Sequence, residues 1–485
     1  MSEFSEYFKK CVNQCGKKRY QLAIESGVKE AMISRMKASD KDVSRLCKKP
    51  ELMERLIRVM DLPEEQSIRL WKLYLQELKR CPGYEYLVAN IQLLDQFRMM
   101  KQTENLPLSE GMDLQDQQIL SGKRRIFEVC QELVLREAAR EHGQIQMQVR
   151  TDWEEFNYIL GQAMQQNGSL RIDHLVAMEQ IEVLMDGTPE KQSASRNAHI
   201  FMNLIPLLMH QQKAQYQIHM FYTKTQYYYS DFQIYCFYLI TSEGMVLFDK
   251  EYSYGMLVTN PQTLAEKRLW FQDKQTVTRN MCKVEDNIPV VNSNLKFVYA
   301  FGTQPCFGVA RSEALFQKYV IDWNNPLMKN FLQYNTEEYK NLMGRPVHSY
   351  FTREGIRHFL ETGRLEEIPS VLYRPLEVED CKDVIRILLQ KMEEGLYKGY
   401  LMQESLAQIY PEGLVINAYR DDALILYFYR DGLRKYITVQ DRELSKCLLT
   451  VLLGTYEGQE QHDTLEETKQ YLRTMLRQNY HRKEL

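Results

Sequence analysis

The twenty residues from Arg19 to Ala38 constrain this chain more tightly than any other segment. Apolar spacing there predicts two short helices, from about Lys18 to Ser26 and from about Lys29 to Lys37. Ala23 lets the two approach closely where a longer side chain would clash, and Gly27 permits the positive φ of a tight interhelical turn. Leu22, Val28, Ile33 and Met36 are spaced to fill a small core between them. These jobs interlock, and together they specify a helix-turn-helix.

The flanks extend the pattern. Phe4, Phe8, Cys11, Val12 and Cys15 form one stripe of a helix over residues 4–15 that Gly16 ends, and two more helices are predicted over Pro50–Met60 and Glu64–Lys79. Five helices thus fill the first eighty residues. Charge is uneven as well: residues 1–50 carry 12 Lys and Arg against 6 Asp and Glu, although the whole chain is at −3. A basic patch confined to one end suits a polyanion; the bland alternative is a solvated face with no partner.

On Gln21-Leu22-Ala23, Gly27 and Ile33-Ser34-Arg35, the segment resembles the lambda-repressor-like (Xre-type) DNA-binding domain, over about residues 4–75. The resemblance implies that the third helix enters the major groove and that the start of the second grips phosphate. Carried over position by position, Arg19 becomes a phosphate-side contact, and Lys29, Glu30, Ala31, Ser34 and Arg35 become the groove-facing set. Lys29 and Arg35 would address guanine, Glu30 cytosine N4 and Ala31 a thymine methyl. Lys17, Lys18 and Lys37 fit backbone neutralisation. The chain departs from the family after Arg35, where Met36-Lys37-Ala38 and a charged stretch from Ser39 to Lys49 replace an aromatic, a Glu and a Gly. The loop is longer, and Lys41, Arg45, Lys48 and Lys49 are its own candidate phosphate contacts.

A chain of 485 residues exceeds what one core can hold, so an α+β multidomain protein is expected. Residues 1–80 read as the DNA-binding domain and 81–143 as a helical connecting arm, broken around Leu106–Gly111. Residues 144–330 read as an α/β sensing body. Its strands are expected at 145–149, 170–178, 217–223, 232–241, 245–249 and 254–258, the first two a parallel pair. Its helices are expected at 152–165, 199–212, 260–274 and 312–318, with a loop over 186–197. Residues 331–485 read as a C-terminal α+β domain: a polar stretch, two helices, a three-stranded meander (413–419, 423–429, 434–440) turning at 420–422 and 430–432, and helices from Asp441 and Thr464. No repeat of 20 to 50 residues is present.

Other chemistry is sparse. Ten scattered cysteines form no C-x-x-C pairing, and Cys11 and Cys15, four apart, read as core thiols rather than metal ligands. His174 lies on a strand in a setting that faintly resembles a phospholipase D half-domain, but position 176 is Val where that family needs Lys, so a structural histidine is expected. Tyr222, Tyr227, Tyr228, Tyr229, Tyr235 and Tyr238 either line a ligand pocket or pack a sheet. No phosphate loop, zinc-protease or hydrolase motif occurs, so no enzyme, cofactor or metal is expected. Neither a membrane span nor a signal peptide is legible, and a cytoplasmic location is expected. The expected function is a bacterial-type transcriptional regulator, a homodimer binding double-stranded DNA and responding to a small-molecule or peptide effector. The alternative is an interaction or scaffold protein whose helical head docks a protein.

Overall fold

The computed structural model of the chain describes residues 2–37, 47–81, 84–98, 111–182, 184, 189–210, 215–224, 235–286, 297–310, 313–326, 328–329, 346–368, 370–419, 423–430, 433–456 and 462–480. A helical head comes first: α1 (Glu3–Gln14), α2 (Arg19–Ser26), α3 (Glu30–Lys37), α4 (Pro50–Val59) and α5 (Glu64–Lys79). Ser2 caps α1 by accepting from the Ser5 N–H, and Pro50 opens α4 at a position whose N–H would lack a helical partner anyway. Gly27 ends α2 at φ 76°, the left-handed conformation the turn was expected to need. Leu22, Val28, Ile33 and Met36 are all buried together with Phe4, Phe8, Met53, Leu56 and Tyr74. Each such apolar side chain contributes about 1.5–3 kcal/mol through burial.

After α6 (Glu85–Arg98) the chain builds a first β unit: β1 (Gln118–Ser121), α7 (Lys123–Ala138), β2 (Gln144–Gln148), α8 (Glu154–Gln166), β3 (Arg171–Glu179), α9 (Lys191–His210), β4 (Tyr216–Thr223), β5 (Phe237–Ile240), β6 (Met245–Phe248), β7 (Tyr254–Val258) and α10 (Pro261–Thr276). The short β8 (Arg279–Asn280) leads into a second unit. Its elements are β9 (Cys282–Glu285), β10 (Phe297–Phe301), α11 (Glu313–Tyr319), β11 (Val347–Phe351), α12 (Arg353–Thr362), α13 (Val378–Glu393), β12 (Tyr397–Leu401), α14 (Glu404–Ala407), β13 (Val415–Tyr419), β14 (Ala423–Arg430), β15 (Leu433–Val439) and α15 (Arg442–Tyr456). Helix α16 (Leu465–Leu476) follows, its start held by a capping box between Thr464 and Glu467.

The two sheets follow one path. The first runs β1-β7-β6-β5-β2-β3-β4-β8; the second, read from its β9 edge, runs β9-β15-β14-β13-β10-β11-β12. In each, three consecutive strands lie parallel (β2, β3, β4 and β10, β11, β12). An antiparallel meander joins the first of these three (β5, β6, β7 and β13, β14, β15). The strand that opens the unit then closes the far edge of the meander, β1 on β7 and β9 on β15. Strand for strand, residues 118–276 and 282–456 thus share a topology that carries no visible repeat in sequence.

The units are joined at one corner. Between β8 and β9, the buried Met281 donates its N–H to the Ile218 carbonyl in the first sheet, and its own carbonyl accepts from Gln440 N–H beside the second, both at 3.0 Å. Tyr222 reaches across to donate its hydroxyl to Asp441 at 2.6 Å, with Arg279 3.5 Å from the same carboxylate. Helix α9 of the first unit packs on α15 of the second, and α6 lies against both. The head rests on this layer: α5 packs on α6, the Trp71 indole N–H donates to Asp95 at 2.6 Å, and α4 meets α14.

Several expectations are corrected. Residues 81–143 are not a connecting arm, because α6 is part of the inter-unit layer while β1 and α7 are built into the first sheet and its cover; the break expected around Leu106–Gly111 lies, but for Gly111, outside the described residues. A boundary at 330 would divide the second sheet, since β9 and β10 pair with strands beyond it. Helix α9 begins at Lys191, inside the expected loop over 186–197, and β5 begins only at Phe237. The polar residues there are used structurally: the Asn197 side chain accepts from Glu179 N–H and donates to its carbonyl, at 2.8 and 2.9 Å, completing the end of β3. The polar stretch after 331 contains β11 and α12. The meander β13–β15 stands as expected, though its turn residues 420–422 and 431–432 lie outside the described residues.

Candidate nucleic-acid interface

Helix α3 is amphipathic in the sense the candidate role requires. Ile33 and Met36 are fully buried, while Glu30, Ala31 and Arg35 are exposed and Ser34 is half-buried. The pairs 30/34, 31/34 and 31/35 lie three or four residues apart, so the four positions fall on one broad face. Exposed Lys29 stands just before the helix, its carbonyl accepting from the N–H groups of Met32 and Ile33 at 2.8 and 3.2 Å. The turn behind it is fixed by Ser26, whose hydroxyl donates to the Leu22 carbonyl at 2.6 Å and accepts from Val28 N–H at 3.2 Å.

Arg19, at the start of α2, donates from Nη1 to Ser34 Oγ at 3.0 Å. This bond sets the first residue of α2 against the exposed face of α3, so the expected phosphate-side and groove-side residues meet. Lys18 is exposed, and its N–H donates to the Gln21 side chain at 2.9 Å, stabilising the start of α2. Lys37 Nζ donates to Asn13 Oδ1 of α1 at 3.2 Å. Lys17 pairs with Glu25 at 2.6 Å, which offsets its charge at the surface. Lys48 and Lys49 are exposed before α4; Lys41 and Arg45 lie outside the described residues. The Arg19–Ser34 and Lys37–Asn13 links span 15 and 24 residues, and no sequence signal announces them. The sequence reading also passed over Tyr20 and Ile24, which α2 leaves 50% and 78% exposed.

The remaining candidates resolve differently. His174 is fully buried, with Nδ1 2.6 Å from the Tyr216 hydroxyl and Nε2 3.0 Å from the Val149 carbonyl, and desolvation pulls its pKa down from 6.5 to about 4. A neutral ring with one donor and one acceptor satisfied is a structural histidine, as expected. Of the described tyrosines, Tyr222 bonds Asp441, Tyr238 packs edge-on against Trp270 and Phe271, and Tyr235 is exposed; Tyr227, Tyr228 and Tyr229 lie outside the described residues. All ten cysteines are free thiols, with burial raising the pKa of Cys11, and no metal-holding cluster occurs among the described residues. No helix among the described residues is long and apolar enough to cross a membrane. Comparison with protein-family models gives no match, and comparison with curated proteins gives none.

Proposed function

We propose that the chain is a sequence-specific DNA-binding regulator whose head is a lambda-repressor-like domain. One observation carries this reading: exposed Lys29 just before α3 and Glu30, Ala31, half-buried Ser34 and Arg35 on its outer face form one set, with Arg19 of α2 bonded to Ser34. Lys29 and Arg35 would take guanine O6 and N7, Glu30 cytosine N4 and Ala31 a thymine methyl. Arg19, Lys18, Lys37 and, once released from Glu25, Lys17 would neutralise phosphates. Phosphate contacts give affinity, and α3 gives sequence choice. A homodimer would set two heads on half-sites about one helical turn apart, with the two β units as the effector-responsive body.

The test is selection of bound sites from a random duplex pool by the full-length protein and by a Lys29→Ala, Arg35→Ala variant. An enriched inverted repeat, lost in the variant with about 1–3 kcal/mol of affinity per good base contact, is the expected result. No enrichment at low salt overturns the reading. The exposed apolar pair Tyr20 and Ile24 favours a second reading, a head that docks a protein. Such a head would show neither sequence preference nor steep salt dependence on a DNA probe.

A further inference from the structure

A cavity of about 780 Å³ lies in the first unit where α7, the β5–β6 turn and the start of α10 meet the strap of residues 111–114. That volume suits a small ligand. Its walls mix apolar side chains, among them Leu114 and Leu264, with four charged groups: Arg136, Glu243, Arg268 and Asp113.

Two of the charges cancel. Arg136 is tied into ion pairs, donating to Glu132 at 2.7 Å, to Glu243 at 3.2 Å and to the Met112 carbonyl, while Glu243 also accepts from Arg140 at 2.7 Å. This lattice also anchors the strap, as Met112 N–H donates to Glu132 at 3.2 Å. The other two remain available. Among the described residues Arg268 makes a single hydrogen bond, from Nη2 to the Thr241 carbonyl, leaving its remaining N–H groups open. Among the described residues, exposed Asp113 accepts a single 3.3 Å bond, from the Gln115 amide.

The second unit offers a comparison. There the start of α15, the counterpart of α10, is covered by Tyr222 and Arg279 of the first unit, which engage its capping Asp441. The start of α10 is not engaged from the second unit among the described residues, and the cavity borders it. The N–H groups of Thr259 and Asn260 at that start already hold the Asp116 carboxylate, at 2.6 and 3.1 Å, so the helix terminus is engaged within the chain and Arg268 is the cation left facing the cavity.

We propose that this cavity binds a small zwitterion with an apolar side chain, a free amino acid or a dipeptide. Its carboxylate meets Arg268, its ammonium meets Asp113, and its side chain lies between Leu114 and Leu264. The salt-bridged Arg136–Glu243 pair contributes a wall of no net charge. The site stands apart from the DNA-binding reading, because its test involves no nucleic acid.

The test is calorimetric titration of the full-length protein with L-leucine, leucyl-leucine and the uncharged N-acetyl-leucinamide, repeated on Arg268→Ala, Arg268→Lys and Asp113→Asn. Binding of leucine or leucyl-leucine, weakened about tenfold or more by Arg268→Ala and by Asp113→Asn and partly restored by Arg268→Lys, is expected from the loss of one charge-assisted hydrogen bond. Which of the two zwitterions binds identifies the ligand as amino acid or peptide. Circular dichroism on each variant separates lost binding from lost folding. No binding of either zwitterion at millimolar concentration overturns the proposal, as does equal binding of N-acetyl-leucinamide or affinity unchanged in both charge variants.

Discussion

Replacing His174 by Gln tests how the first sheet responds to acid. In the folded chain the neutral ring donates from Nε2 to the Val149 carbonyl and accepts at Nδ1 from Tyr216, whose own ionisation is pushed up by burial. A second proton would add a charge to a desolvated site, near His219, and the folded pKa falls to about 4 against 6.5 for a free imidazole. Because the folded value lies below the unfolded one, the unfolded chain takes up the proton first. Stability is therefore constant above about pH 7, declines from pH 6.5 towards 4 and levels off below. At pH 5 the penalty works out at about 2 kcal/mol, rising to about 3 kcal/mol once both states are protonated. Gln keeps a donor and an acceptor but cannot ionise. Hydrogen exchange at β3 amides, followed at pH 7.5 and 5 in both proteins, should show the wild type losing about 2 kcal/mol more protection than His174→Gln. Equal losses, or a His174 ring that titrates near pH 6.5 by NMR, would refute the argument.

Three further outcomes are expected. Ser34→Ala removes the acceptor of Arg19; binding of the selected DNA site should weaken by about 1 kcal/mol, while Arg19→Ala should also lower the salt slope by about one, both read by fluorescence anisotropy against salt. Gly27→Ala forces a Cβ into the φ 76° turn; its Cβ would sit 3.7 Å from Leu52, so the cost is conformational rather than steric, about 1–2 kcal/mol in a thermal melt of the head. Trp71→Phe strips the indole donor from Asp95 and should cost about 1–3 kcal/mol at the head–α6 contact, read as faster hydrogen exchange of α6 amides.

The head was legible because its elements are decided locally. Gly27, Pro50 and the Leu22, Val28, Ile33, Met36 spacing fix helix ends and faces, and the structure places α1–α5 within a residue or so of expectation. The meander β13–β15 was legible for the same reason, through alternating apolar residues and Asp- or Gly-bearing turns. Elsewhere long-range contacts decided the outcome. Lys191–Asn197 looks like a loop because it is polar, yet Asn197 spends its amide on the end of β3. The shared topology of the two units is invisible because a path can repeat without its residues doing so: β3 carries buried Asp173 and His174, whereas the corresponding β11 carries His348 and buried Ser349. At the candidate interface the exposed residues of α3 were readable from helical spacing. The Arg19–Ser34 bond was not, since nothing in sequence says that two side chains 15 residues apart will point at each other.

Met281 bears on how this protein can be taken apart. This one residue hydrogen-bonds the first sheet through its N–H and the chain beside the second through its carbonyl. A cut at this position, or expression of either half alone, would strip a hydrogen bond from both units at once and lay bare the α9–α15 contact. The two units, though alike in path, are not modules to be shuffled. They should appear together in one calorimetric transition, and fragments that end between them should aggregate rather than fold.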